Sequence, residues 1–73
     1  MIDINALRQR LVNGESAPAL AAEIKDDPEV VGAYLGYECG TIAARSEVVP
    51  EASRYNLNWM LDRLEHWRKE TKR

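Results

Sequence analysis

The residues that could carry out chemistry are few and lie far apart. Cysteine and histidine each occur once, as Cys39 and His66. Nucleophilic catalysis needs a nucleophile, a base and a group that orients the base, all held together. The two residues fall on different predicted helices, and an apolar helix face disfavours the thiolate of Cys39. One cysteine and one histidine also make no zinc site. We therefore expect no enzyme, no metal or cofactor site and no internal disulfide.

A second chemistry to consider is DNA recognition by residues 20–35, which resemble a helix-turn-helix segment. The apolar and small positions that this motif requires are filled by Ala21, Ile24, Val31 and Leu35. The second helix, however, would begin at Asp27-Pro28-Glu29 and would present no cation before Arg45. Phosphate contacts need cations, and base recognition needs donors at the start of that helix. The sequence therefore does not favour nucleic-acid binding, and a DNA-binding regulator is kept as the alternative interpretation.

Aromatic residues on the last predicted helix indicate a protein-binding surface. Tyr55 and Trp59 lie one helical turn apart, and Arg63 follows Trp59 by four residues. They face away from the leucine stripe of the same helix, together with Asp62 and His66. Large aromatics beside an arginine outside the core have the composition of an interface anchor. We expect these five residues to contact another protein or a second copy of the chain. The alternative is that other helices cover this side as a second core face.

A stretch that is poor in charge, Val30 to Arg45, is predicted to form one central helix. Small residues recur in it at every fourth position, namely Gly32, Gly36, Gly40 and Ala44. Each glycine costs up to about 1 kcal/mol relative to alanine inside a helix, so the stripe needs a packing reason. We expect a close crossing with another helix of the chain, or else self-association along the stripe.

The opposite side of the central helix is predicted to face the core. The residues that share this side at helical spacing are Val31, Tyr34, Leu35, Cys39 and Ile42. Glu38 lies near the centre of this side, so we expect its carboxylate to reach the edge or to pair with an arginine such as Arg45 or Arg54. The alternative is a functional role, as a pH-sensitive group or as a group that contacts a partner. Residues 46–50 connect the central helix to the last one, and we expect their two valines to point inward.

Local signals predict where the helices begin and end. Asp3 and Ser16 are N-cap residues for the first two helices, and Asn13-Gly14 ends the first. Residues 27–29 begin the third helix, and the fourth runs from about residue 50 to residue 69 or beyond. Apolar residues at helical spacing are Ile4, Leu7 and Leu11, then Ala17, Leu20, Ala21 and Ile24, and finally Leu57, Met60, Leu61, Leu64 and Trp67.

Composition and size set the class of protein. With 73 residues, 45% hydrophobic and 30% charged, the chain predicts one all-α domain over residues 1–73, a small four-helix domain with a central Gly/Ala-rich helix and a long C-terminal helix. A core of this size rarely contributes more than roughly 3–5 kcal/mol to stability, and many small domains gain further stability by oligomerisation. We therefore expect a homodimer. The sequence contains neither a membrane-length apolar run nor a signal peptide at its start, which predicts a cytoplasmic protein without membrane contact.

These observations favour one function over two others. We expect a small acidic intracellular protein-interaction module that binds a protein partner, of the adaptor or inhibitor type that phages and other mobile elements encode. The alternatives are the helix-turn-helix-like transcriptional regulator and a structural or assembly subunit.

Overall fold

The structure is a computed structural model that describes residues 2–45 and 50–71. The helices of these residues are α1 (Ile4–Val12), α2 (Ala17–Ile24), α3 (Pro28–Gly32), α4 (Gly36–Ala43) and α5 (Pro50–Thr71). The predicted all-α class and long C-terminal helix are confirmed. The predicted central helix is divided into α3 and α4, so the described residues form five helices instead of four. The two valines of the connecting segment lie outside the described residues. None of the described helices has the length and apolarity needed to cross a membrane.

The first three helices begin at the residues that the sequence predicts, because a side chain there accepts a backbone N–H that would otherwise lack a partner. Each cap oxygen accepts from a residue two or three positions later: Asp3 from Ala6 at 3.0 Å, Ser16 from Ala19 at 3.3 Å, and Asp27 from Glu29 at 2.9 Å. Such a cap contributes about 1 kcal/mol. Prolines occupy the first turns of α2 and α3, where no N–H is required.

One hydrophobic core joins all five helices. α2 packs most extensively against α4, and α5 lies across α1, α2 and α4. The buried apolar residues are Ile2, Ile4, Leu7, Leu11, Ala17, Leu20, Ala21, Ile24, Val30, Leu35, Cys39, Ile42, Leu57, Met60, Leu61 and Leu64, with Trp67 partly buried against them. The predicted apolar stripes of α1, α2 and α5 are therefore confirmed.

The close helix crossing predicted along the small-residue stripe is wrong, and self-association along the stripe stays a prediction. A Cβ added at Gly36 or Gly40 would meet nothing within 4 Å, and one added at Gly32 would meet the Trp67 ring at an ordinary 3.7 Å. Ala44 is exposed. The physical reason is the break at residues 33–35, which changes the direction of the chain, so the four-residue step no longer follows one face of one helix.

The same break corrects the predicted core face. Leu35, Cys39 and Ile42 are buried as expected, but Val31 and Tyr34 are exposed. Tyr34 has φ 60, a left-handed conformation that ends α3 and redirects the chain. Glu38 is exposed, and its carboxylate therefore reaches solvent. Arg54, one of its predicted partners, instead donates a hydrogen bond to the carbonyl of Leu11.

Candidate functional site

Three of the five predicted interface residues form an exposed cluster of two aromatic side chains and an arginine on α5. We call this cluster the α5 patch: Tyr55, Trp59 and Arg63. The side chain of Tyr55 is 72% exposed and that of Trp59 is 42% exposed. The guanidinium carbon of Arg63 lies 5.4 Å from the centroid of the Trp59 ring. A cation–π contact of this kind contributes about 0.5–1 kcal/mol at an exposed position and holds both side chains in place. The patch lies outside the core because the leucines of α5 occupy its opposite side.

The other two predicted interface residues have partners within the chain. Asp62 accepts a hydrogen bond from the guanidinium of Arg8 at 2.5 Å, and Arg8 also lies 3.3 Å from Glu65. The hydrogen bond from Arg8 lowers the pKa of Glu65. His66 lies 3.4 Å from Glu70, one turn further along α5. Asp62 therefore links α5 to α1, and both residues border the α5 patch.

A second exposed group lies where α3 meets α4, and sequence reasoning missed it. We call Val31, Tyr34 and Tyr37 the junction patch. Tyr34 is 92% exposed and Tyr37 is 88% exposed. Periodicity places Val31 and Tyr34 in the core because they share a face with Leu35 if the helix is continuous, and it gives no indication for Tyr37. The signal that could identify this junction is the spacing of Val30 and Leu35, which suits the two apolar residues that flank a helix end of the Schellman type.

The backbone of the junction forms that Schellman end in full. The N–H of Tyr34 donates to the carbonyl of Val31 and the N–H of Leu35 donates to the carbonyl of Val30, both at 3.0 Å. Val30 and Leu35 are both buried in the core. In such an end, the residue directly before Leu35 must adopt a left-handed conformation, which glycine adopts most easily. Here Tyr34 fills it, at a cost of about 1–2 kcal/mol for a residue with a Cβ.

Two surface clefts lie along α5, one facing α4 and the other facing the junction of α3 and α4. One, of about 170 Å³, is lined by Tyr37, Glu38, Thr41, Ile42, Arg45 and Asn56. The other, of about 150 Å³, is lined by Ala33, Leu35, Arg63, His66, Trp67 and Glu70. Asn56 and Arg63 lie about one turn before and after Trp59 on α5. Trp59 therefore lies, along α5, between the residues that line the two clefts.

The least exposed ion pair of the described residues joins the start of α3 to α5. Glu29, in the first turn of α3, lies 2.6 Å from Arg68, and their side chains are only 13% and 21% exposed. Arg68 also donates to the carbonyl of Ile2 at 2.7 Å, and the N–H of Ile2 donates to Glu29 at 3.2 Å. The hydrogen bond from Arg68 lowers the pKa of the Glu29 carboxyl. This network fixes the start of the chain and α3 against α5.

Cys39 is suited to packing. It is fully buried, and its thiol donates to the carbonyl of Ala21 at 3.3 Å. Burial raises the pKa of Cys39 to about 11, so the thiolate is scarce at neutral pH. Among the described residues, no three His, Cys, Asp or Glu side chains come together in a way that could hold a metal ion.

The segment that resembles a helix-turn-helix has a short second helix. α3 contains five residues and carries an acid at its N-cap, Asp27, and another in its first turn, Glu29, which is bound to Arg68. No known protein family matches the chain, and neither a curated protein nor a solved structure is detectably similar to it. Its function has to be inferred from the chemistry of the exposed face alone.

Proposed function

We propose that the protein is a small interaction module that binds another protein through the junction patch and the cleft that Tyr37 lines. The supporting observation is Tyr34, a large aromatic residue held in a left-handed conformation and left in solvent. An adaptor or an inhibitor would work in this way, by occupying a surface of its partner. A reducing intracellular compartment suits the free, buried thiol of Cys39.

The energetics of Tyr34 support a role outside the chain. Glycine at this position would avoid a cost of about 1–2 kcal/mol, because it has no Cβ to clash in the left-handed region. Burial could repay such a cost, but the side chain of Tyr34 is 92% exposed. The isolated domain therefore gains little from this tyrosine. Strained residues that the fold itself does not need are typical of binding sites.

The chemistry of the neighbouring residues fits a protein partner. Tyrosine presents a large amphipathic surface and loses little conformational entropy on contact, which is why it is enriched in binding surfaces. Tyr34 and Tyr37 lie on either side of buried Leu35, so both are attached to a well-anchored segment. The adjoining cleft is lined by a negative side chain, Glu38, and a positive one, Arg45, and both can form ion pairs with charges of a partner. This combination favours a protein surface over a small ligand.

The test compares the proteins captured by the wild type with those captured by two variants. One variant combines Tyr34→Gly with Tyr37→Ser, and the other, the control, is Val12→Ser. Each of the three proteins is immobilised and incubated with an extract of the native host. Val12 is an exposed apolar residue on α1, so its variant removes a similar surface elsewhere. We expect quantitative mass spectrometry to find a protein that depends on the two tyrosines and is unaffected by Val12→Ser.

The captured protein is then purified and its affinity measured by calorimetry. We expect the double tyrosine variant to bind at least about tenfold more weakly, which corresponds to about 1.4 kcal/mol. The proposal is wrong if no protein is captured, or if each captured protein binds the double variant and the wild type equally.

A further inference from the structure

We infer that the α5 patch is the contact for a second copy of this chain, which lays its own α5 antiparallel across the first with the two-fold axis at Trp59. This inference goes beyond the proposed function and does not depend on the junction patch. It would make the module bivalent, with one junction patch on each copy.

The spacing of the patch supports helix-on-helix packing. Tyr55, Trp59 and Arg63 follow one another at four-residue steps, so they form a single ridge along α5. Two ridges of this kind interlock in the commonest class of helix packing, with axes that cross at about 50°. The described residues leave much of this ridge in solvent, since Tyr55 is 72% exposed and Trp59 is 42% exposed.

Charge selects the antiparallel direction. In a parallel pair centred on Trp59, each Arg63 would face Arg63 of the second copy, and like charges would repel. In an antiparallel pair with its two-fold axis at Trp59, a residue that precedes Trp59 on one copy faces the residue that follows Trp59 by the same number of positions on the other copy. Tyr55 of each copy therefore faces Arg63 of the other. Each arginine then lies against a tyrosine ring from the second copy in addition to Trp59 of its own chain. The ridge is therefore complementary to itself in one direction only.

The surface beside Arg63 has room for the incoming tyrosine. Arg63 lines the cleft of about 150 Å³ whose other walls include Leu35 and Trp67. This cleft can accept part of an aromatic side chain. At the edge of the contact, exposed His66 faces the small residue Ala52 of the second copy, so the imidazole does not clash.

The contact area predicts a weak dimer. A tyrosine or tryptophan buries about 150–250 Å² at most. Two of each, already partly covered, fall short of the roughly 1,200 Å² of a typical stable interface. We therefore expect a dissociation constant in the range of about 10 to 500 µM.

Sedimentation equilibrium over this concentration range is the first measurement. The wild-type mass should rise with concentration from 8.3 kDa towards twice that value. Arg63→Glu should weaken dimerisation at least about tenfold, and Arg63→Lys should weaken it less, since it keeps the charge. The inference is overturned if the wild type stays monomeric throughout or if Arg63→Glu dimerises as the wild type does.

Cross-linking of introduced cysteines with a bismaleimide of about 10 Å span then tests the direction and leaves the patch itself intact; a direct disulfide is too short because axes that cross at about 50° diverge on either side of Trp59. Ala52→Cys mixed with His66→Cys should cross-link at least about tenfold faster than either variant alone, because antiparallel packing brings these two positions nearer to each other than either is to its own equivalent. Val12→Cys serves as an exposed control, and buried Cys39 does not react. If Ala52→Cys alone cross-links fastest, the helices are parallel and the inference is wrong. Neither result alters the outcome of partner capture through Tyr34 and Tyr37, so the two proposals can fail separately.

Discussion

The ends of α1 and α3 use the same backbone geometry with very different side chains. At the end of α1, the N–H of Gly14 donates to Leu11 at 3.0 Å and that of Glu15 donates to Arg10 at 3.1 Å. At the end of α3, Tyr34 and Leu35 repeat this pair of hydrogen bonds. The left-handed residue is Gly14 with φ 92 in the first case and Tyr34 with φ 60 in the second.

The difference shows what each end is used for. Gly14 adopts its conformation without steric cost and only redirects the chain. Tyr34 adopts a similar conformation at a cost, because buried residues on both sides of it fix the path of the backbone. The α1 end is thus determined by its local sequence, and the α3 end by tertiary packing. Substitutions at the two ends, and at the charges near them, should therefore have different effects.

The charges that support the two ends should give the largest contrast. Glu29→Gln removes the charge from a largely buried pair with Arg68, and we expect it to lower the free energy of unfolding by about 2–3 kcal/mol. Glu15→Gln, which removes one of two exposed carboxylates bound to Arg10 at 2.8 Å, should change it little. Urea titration measures both. Equal losses would mean that the α3 end is no better anchored than the α1 end.

The same pair predicts the pH dependence of stability. The pKa of Glu29 is lowered in the folded state. Its contribution is therefore present above the ordinary glutamate pKa of about 4.3, and it is lost as the pH falls through the lower folded-state value. The difference in stability between wild type and Glu29→Gln should shrink in acid. A constant difference from neutral to acid pH would show that the charge of Glu29 is not its cause.

Gly14→Ala tests the left-handed position of α1. Space is available for the new Cβ, but the positive φ is strained for any residue with one. We expect a loss of about 1–2 kcal/mol in thermal or urea unfolding. An unchanged stability would indicate that this turn relaxes to another conformation, and the comparison of the two ends would lose its reference.

Tyr34→Gly should change stability in the opposite direction. Glycine removes the strain of the left-handed conformation, and little packing is lost because the tyrosine is exposed. We expect a gain of about 0.5–1 kcal/mol, reduced somewhat by the greater freedom of glycine in the unfolded chain. A loss of stability would show that Tyr34 supports the fold, and the main argument for its role in binding would fail.

Gly40→Ala checks the corrected view of the small-residue stripe. Gly40 lies inside α4 with open space around its missing Cβ. Alanine should therefore stabilise the protein by about 0.5–1 kcal/mol through its better helix propensity. A lower melting temperature would restore the original prediction that the glycines mark a close helix crossing.

Much of the fold could be predicted from the sequence because its signals are local. Asp3, Ser16 and Asp27 act on neighbouring N–H groups, and the leucines of α5 repeat at helical spacing. The break at Tyr34 could not be predicted in this way, since tyrosine does not mark a left-handed residue and the surrounding apolar pattern continues as in a helix. The same distinction between local and tertiary signals separates the residues of the two exposed patches. Periodicity places Tyr55 and Trp59 outside the core, but the exposure of Tyr34 and Tyr37 depends on the break.

DNA binding should give the smallest effect of all, and the reason again lies in the α3 end. A recognition helix must enter the major groove with donors on its first turns. Because the chain turns at Tyr34, α3 has only five residues, with Asp27 at its N-cap and Glu29 in its first turn. Of the arginines that could contact phosphates, Arg8, Arg10 and Arg68 already bind carboxylates in the described structure. Fluorescence anisotropy with random and host-genomic duplexes at about 50 to 200 mM salt should detect no binding tighter than about 100 µM. Submicromolar binding with a steep salt dependence would instead support the regulator and would require α3 and α4 to rearrange on DNA.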